Sequence, residues 1–287
     1  YLYCGFIEYY CCLHCVNWNK KMNIHYILPI FLSFFSGFLS LSQEILWTKL
    51  VGFLFFSTPK TFSFVLGCYL IGIALGSLIG KKICLEQRES LLISSGKLFI
   101  TAAAIDTISI FAVAFISHDS PFCLIIITPA IIISAALRGA VFPIVHHLGS
   151  QNKTNIGASI SNVYSANVFG ATLGPLLTGF LLLDYMSLQN SFLFINSCTA
   201  LIGLFCLLTI KTSYILRVCS SILSTILIVI LFTNQDFLSL LMTQQNLNHR
   251  HGHNANHIIQ NKHGLIHTFP NPTGDIVFGS KYSVTHQ

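Results

Sequence analysis

Residues 61–80 read TFSFVLGCYLIGIALGSLIG, twenty positions without one charged side chain. About twenty mostly apolar residues is the length that crosses the hydrocarbon core of a bilayer as an α-helix. Outward from this run, six further stretches have the same character, at about 27–54, 98–117, 121–146, 160–183, 191–210 and 214–232. The first is long and carries the polar patch Ser42-Gln43-Glu44, so it reads either as one tilted helix or as a span followed by an interfacial turn. The fold class that follows is an all-α membrane protein, a polytopic bundle of about seven transmembrane helices.

Composition points the same way. Of 287 residues 53% are hydrophobic and 8% charged, where a soluble domain would carry about a quarter charged. Mean hydropathy is +0.71, so most of the surface must face lipid, and the bilayer is the first partner. Lys and Arg number 15 against 9 Asp and Glu, but they lie singly or in pairs between apolar runs and form no basic stripe. Lipid headgroups are their natural partner, and no nucleic acid is expected. The first apolar run is too long for a cleaved signal peptide and has no small-residue cleavage site before Glu44, so it reads as a membrane anchor.

Four regions follow. Residues 1–25 are an N-terminal extension, with Met22 expected as the true start. Residues 26–233 are the transmembrane bundle, and 234–256 a polar His- and Asn-rich linker. In 257–287, short alternating stretches flank the turn Asn271-Pro272-Thr273-Gly274, predicting a C-terminal β-hairpin tail. The basic residues Lys20, Lys21, Lys81, Lys82, Arg88, Lys97, Lys153, Lys211 and Arg217 mark the cytoplasmic side. The N-terminus is then cytoplasmic, and seven spans put the tail outside. The sequon Asn152-Lys153-Thr154 falls on the cytoplasmic side and reads as silent.

No cofactor and no metal are implied. Cys68, Cys123, Cys198, Cys206 and Cys219 lie inside apolar segments, where cysteine behaves as a small hydrophobe. Cys4, Cys11, Cys12 and Cys15 lack a second pair at zinc spacing. The tract His249, His251, His253 and His257 reads as solvated linker. There is no Gly-rich dinucleotide loop after a strand, no Walker lysine loop, no HExxH and no GxSxG, so no catalytic residue is assigned.

Two patterns remain. Gly72, Gly76 and Gly80, and likewise Ala166, Gly170, Gly174 and Thr178, recur every four residues, which aligns each set on one helix face and predicts close helix packing. Ser33, Ser36, Ser40, Glu44 and Thr48 form a polar stripe ending in a carboxylate. Glu44 reads either as a functional group facing the bundle interior or as an interfacial anchor beside Trp47 and Lys49. Asp106 and Arg138 each fall eight residues inside an expected cytoplasmic helix end, at roughly 12 Å depth given about 1.5 Å per residue. They can pair, as a structural ion pair or as a proton or substrate relay. Glu44, Asp106 and Arg138 are the candidate intramembrane polar site.

The motifs Ser36-Gly37-Phe38, Gln43-Glu44-Ile45-Leu46-Trp47-Thr48-Lys49-Leu50, Leu70-Ile71-Gly72-Ile73-Ala74-Leu75-Gly76-Ser77, Arg138-Gly139-Ala140-Val141-Phe142-Pro143 and Tyr164-Ser165-Ala166-Asn167-Val168-Phe169-Gly170-Ala171-Thr172-Leu173-Gly174-Pro175 occur in this order. Together, over residues 27–232, they resemble the membrane half of bacterial proteins that fuse a major-facilitator-like bundle to a spermidine synthase-like domain. The tail from His257 to Lys281 is similar to the hairpin that opens the aminopropyltransferase domain there, with Gly264 and Asp275 at matching places. The resemblance implies a multi-pass protein of a bacterial inner membrane, with a catalytic aminopropyltransferase domain in the same or a neighbouring polypeptide as partner. That family's loop for decarboxylated S-adenosylmethionine and its acidic base would lie beyond Gln287, so no catalytic residue is carried over. The resemblance implies a cytoplasmic tail, against the charge pattern. A stand-alone small-solute transporter is the alternative.

Overall fold

The computed structural model describes residues 24–55, 58–85, 88–114, 122–150, 156–209 and 214–232, and four strands between 257 and 285. The helices are α1 (Ile24–Phe55), α2 (Pro59–Ile83), α3 (Arg88–Ala114), α4 (Phe122–Ser150), α5 (Ile156–Leu177), α6 (Leu188–Leu208) and α7 (Tyr214–Phe232). Helix α5 runs on through a π-helical segment, Thr178–Leu182, into a last turn, Leu183–Tyr185. The segment begins three residues after Pro175, where the missing proline N–H has already broken the regular ladder.

Six helices, α1 to α6, are long and apolar enough to cross a membrane, and the chain is a multi-pass membrane protein. The seventh expected span is the shorter α7, which packs on α6. The first apolar run is one continuous helix, without an interfacial turn at Ser42-Gln43-Glu44. Helix α3 starts at Arg88, well before residue 98, so Asp106 lies deeper than the sequence implies. Two helix starts are capped by side chains that accept from an otherwise unpaired backbone N–H. Thr58 accepts from Thr61 N at 3.3 Å, ahead of Pro59, and Ser187 accepts from Asn190 N at 3.3 Å. Lys81 and Lys82 close α2, where cations meet the negative end of the helix dipole.

The tail is a four-stranded antiparallel meander, in place of the expected lone hairpin. Strands β1 (His257–Asn261), β2 (Gly264–Phe269), β3 (Ile276–Gly279) and β4 (Tyr282–Thr285) pair in sequence order. The expected turn at 271–274 lies outside the described residues, between β2 and β3, in which Phe269 stands opposite Ile276. A two-stranded ribbon is marginal alone, and here a further strand flanks it on each side. Strand β1 lies beside the Leu183–Tyr185 turn, at the end of the bundle away from Lys81 and Lys82. The extension before Ile24, the linker 234–256 and the sequon lie outside the described residues.

Helix α1 is central and touches α2, α4, α5 and α6. The most extensive contacts are α2 with α4 and α1 with α5, followed by α3 with α6. Glycine makes each of them. A Cβ on Gly76 would strike the backbone of Ala136, and one on Gly80 that of Ala140. In the other pair, a Cβ on Gly170 would strike the backbone of Phe34, and one on Gly174 that of Phe38. The reverse contacts match as well: Gly139 of α4 meets Ile73, and Gly37 of α1 meets Asn167.

These contacts obey one rule. A constant shift in numbering carries Ile73, Gly76 and Gly80 of α2 onto Asn167, Gly170 and Gly174 of α5. A second shift carries Phe34, Gly37 and Phe38 of α1 onto Ala136, Gly139 and Ala140 of α4. Helices α3 and α6 then face each other across the same operation. A Cβ on Gly96 would meet Gly203 O and Leu207, and one on Gly203 would meet Gly96 O and Ile100, with both carbonyls 2.9 Å away. Helices α1–α3 are therefore related to α4–α6 by a pseudo-two-fold axis through the Gly96–Gly203 contact. Because successive spans alternate in direction, α1 and α4 run oppositely, and the repeat is inverted with its axis in the membrane plane.

Candidate functional site

The polar stripe of α1 turns inward. Ser33 is fully buried and donates to Val163 O of α5 at 2.7 Å, and Ser36 is buried. Ser40 meets Tyr69 of α2, whose hydroxyl donates to Ser40 O at 2.6 Å. Glu44, one turn further, is half-buried and close enough to Tyr69 to act on it electrostatically, as do Arg138 and Asp106. Tyr69 thus stands among all three candidate residues, which the sequence separates widely. Its only sequence signal is a single phenol hydroxyl in an apolar run.

Asp106 and Arg138 form a direct ion pair, Nη1 to Oδ2, at 2.5 Å, with both side chains inaccessible to solvent. The same Nη1 donates to Ser134 Oγ at 2.8 Å, one helical turn away on α4. Ser134 and Trp47 are the other side-chain neighbours of the Asp106 carboxylate. Trp47 is fully buried, its ring edge-on to Phe192 at a centroid distance of 5.5 Å. Of the residues beside Glu44, Trp47 is core and Lys49 is exposed. Aromatic belt residues sit at the headgroup level, whereas the Trp47 indole is enclosed by α1, α3 and α6.

Several buried polar atoms here have no hydrogen-bond partner: Arg138 Nε and Nη2, Asp106 Oδ1, Trp47 Nε1, and both amide atoms of Gln43, one turn before Trp47. Gln43, which the sequence marks only as part of the polar patch, stands off the serine stripe and is not among the expected site residues. Nor was Ser134 singled out, being one serine in an apolar helix. A charge pair inside a membrane is costly and marks an interior or pathway position.

The inverted repeat separates packing from chemistry. Gly72, Gly76 and Gly80 are spent on the α2–α4 contact, and Gly170 and Gly174 on the α1–α5 contact. Arg138, by contrast, is equivalent to Ser36, Ser134 to Leu32, Gln43 to Val145 and Tyr69 to Val163. The position equivalent to Asp106 lies beyond the end of α6. The ion pair therefore has no counterpart in the other half, where α6 ends before that position and α1 touches α6 less extensively than α3 touches α4. Glu44 is equivalent to His146, and the two lie on opposite sides of the axis. The His146 ring packs on Phe142 at 4.6 Å and on Tyr164 at 6.2 Å.

Among the described residues no group of three or more His, Cys, Asp or Glu side chains is placed to hold a metal ion. Cys68, Cys84, Cys198, Cys206 and Cys219 are free thiols. No family model matches the chain, and neither a curated protein nor a solved structure matches it.

Proposed function

We propose that this protein is a major-facilitator-like bundle that moves a small solute across a bacterial inner membrane, past Glu44, Tyr69, Asp106 and Arg138. The observation behind the reading is a buried charged network, Asp106 paired with Arg138 beside Ser134, Trp47 and Tyr69, inside a bundle whose α2–α4 and α1–α5 contacts are made by equivalent glycines. Inverted repeats with polar sites near the repeat interface are the architecture of many secondary transporters.

The test is reconstitution of the full chain in proteoliposomes on a solid-supported membrane. Capacitive currents are recorded on jumps of carboxylates, amino acids, polyamines and inorganic cations. At least one class is expected to give a current that Glu44→Gln abolishes while the melting temperature is unchanged. Silence across the panel, or currents unaffected by Glu44→Gln, sinks the idea.

A second reading, the membrane half of a spermidine synthase-like fusion, is favoured by the four-stranded tail, which forms more sheet than a lone hairpin would. Its test is the native mass in membranes, detected with an antibody against the tail. A species heavier than 31.8 kDa by a whole catalytic domain supports it, and a species of that mass removes it.

A further inference from the structure

Arg138 uses one corner of its guanidinium group. Nη1 takes both Asp106 Oδ2 and Ser134 Oγ, while Nε and Nη2 have no acceptor. Those two nitrogens form the side-on fork of arginine, two parallel N–H bonds spaced to match the two oxygens of a carboxylate. The residue is only 2% exposed, so the fork lies inside the protein. Trp47 is a further side-chain neighbour of the same Asp106 carboxylate.

Two N–H groups held side by side without an acceptor favour an acceptor-rich ligand. Asp106 neutralises part of the Arg138 charge and holds the guanidinium by one corner, which leaves the fork oriented. The equivalent position of α1 is Ser36, so the guanidinium belongs to one half of the repeat alone. We propose that the Nε–Nη2 edge of Arg138, which shares Asp106 with Trp47, binds the carboxylate group of a small organic anion within the membrane. The proposal rests on reading the bundle as a transporter and names the ligand class of that same site.

Trp47 reports on the site directly. The chain has two tryptophans, and Trp18→Phe leaves Trp47 as the single indole. The full chain in nanodiscs is titrated with sodium acetate, lactate and succinate, with sodium chloride and putrescine hydrochloride at matched ionic strength as controls. A saturable change in Trp47 fluorescence is expected with at least one carboxylate and with neither control. Arg138→Lys keeps a cation opposite Asp106 but has no fork, and should weaken that binding by about tenfold or more, the loss of one charge-assisted hydrogen bond. If Arg138→Lys does not fold, a rise in the wild-type melting temperature with carboxylate, absent with chloride, serves as the readout.

No saturable response to any carboxylate, an equal response to putrescine, or unchanged binding in Arg138→Lys overturns the proposal. The current recordings separate the two ideas. Currents with other solutes and none with carboxylates leave the transporter standing and remove the carboxylate. Carboxylate binding at Trp47 without any current leaves the site and removes the transporter.

Discussion

The inverted repeat predicts which glycines must respond alike. In Gly76→Ala the new methyl would sit 2.8 Å from Ala136 Cα and closer still to its carbonyl, and in Gly170→Ala it would sit 2.9 Å from the Phe34 carbonyl carbon. Both obstacles are backbone, which cannot rotate aside, so the helix pairs must separate. Overpacking of this kind costs about 1–3 kcal/mol, and equivalence requires the two values to be similar. The two contacts share no atoms, so the double variant should lose the sum to within about 0.5 kcal/mol. Gly96→Ala and Gly203→Ala should behave differently, because each methyl meets the other glycine's carbonyl on the axis. Once one has pushed the helices apart the second costs less, and the pair should be non-additive. Gly67→Ala is the control: nothing lies within 4 Å of its Cβ, so removing a flexible glycine from a helix should stabilise by about 0.5–1 kcal/mol. The assay is unfolding by SDS titration in mixed micelles. A Gly76→Ala variant as stable as Gly67→Ala, or a severe Gly76→Ala beside a silent Gly170→Ala, refutes the symmetry.

Asp106→Asn and Arg138→Gln should each destabilise by about 2 kcal/mol or more, since each leaves an uncompensated buried charge. The double variant should recover part of the loss in the same titration, and independent effects would show that the pair is not coupled. Tyr69→Phe removes the donor to Ser40 O and should cost about 1 kcal/mol, read as a lower melting temperature; no change would mean the bond is replaced elsewhere. Thr58→Ala removes the cap of α2 and should cost about 1 kcal/mol, while Thr61→Ala, which keeps the backbone N–H that is capped, should cost less. Equal losses in those two variants would mean that the hydroxyls matter and the cap does not.

The spans were legible because the signal is additive: uncharged runs such as 61–80 need no tertiary context to be recognised. The small-residue lines at Gly72–Gly80 and Ala166–Gly174 were legible as packing faces for the same reason, since a spacing of four survives in any helix. Their partners were not. That Gly76 lies on Ala136 and Gly170 on Phe34 depends on crossing geometry, and the residues struck have nothing in common as side chains. An inverted repeat built on backbone contacts leaves almost no trace in residue identity, which is why Ala136 and Phe34 occupy equivalent places unnoticed.

The site was half visible for a related reason. Charges stand out in apolar runs, so Glu44, Asp106 and Arg138 could be named from sequence, whereas Tyr69, Gln43 and Ser134 resemble the ordinary polar content of a membrane helix. Depth was misjudged because α3 begins at Arg88, and Arg88 and Lys97 read as loop charges although both lie in the helix. The pairing still forms, since α3 and α4 are adjacent and an unpaired charge at that depth would be far more costly than a tilt that brings the partners together. What sequence could not supply is the comparison that gives the pair its meaning. Set against Ser36 at the equivalent position of α1, Arg138 is a charge that one half of the repeat carries and the other does not.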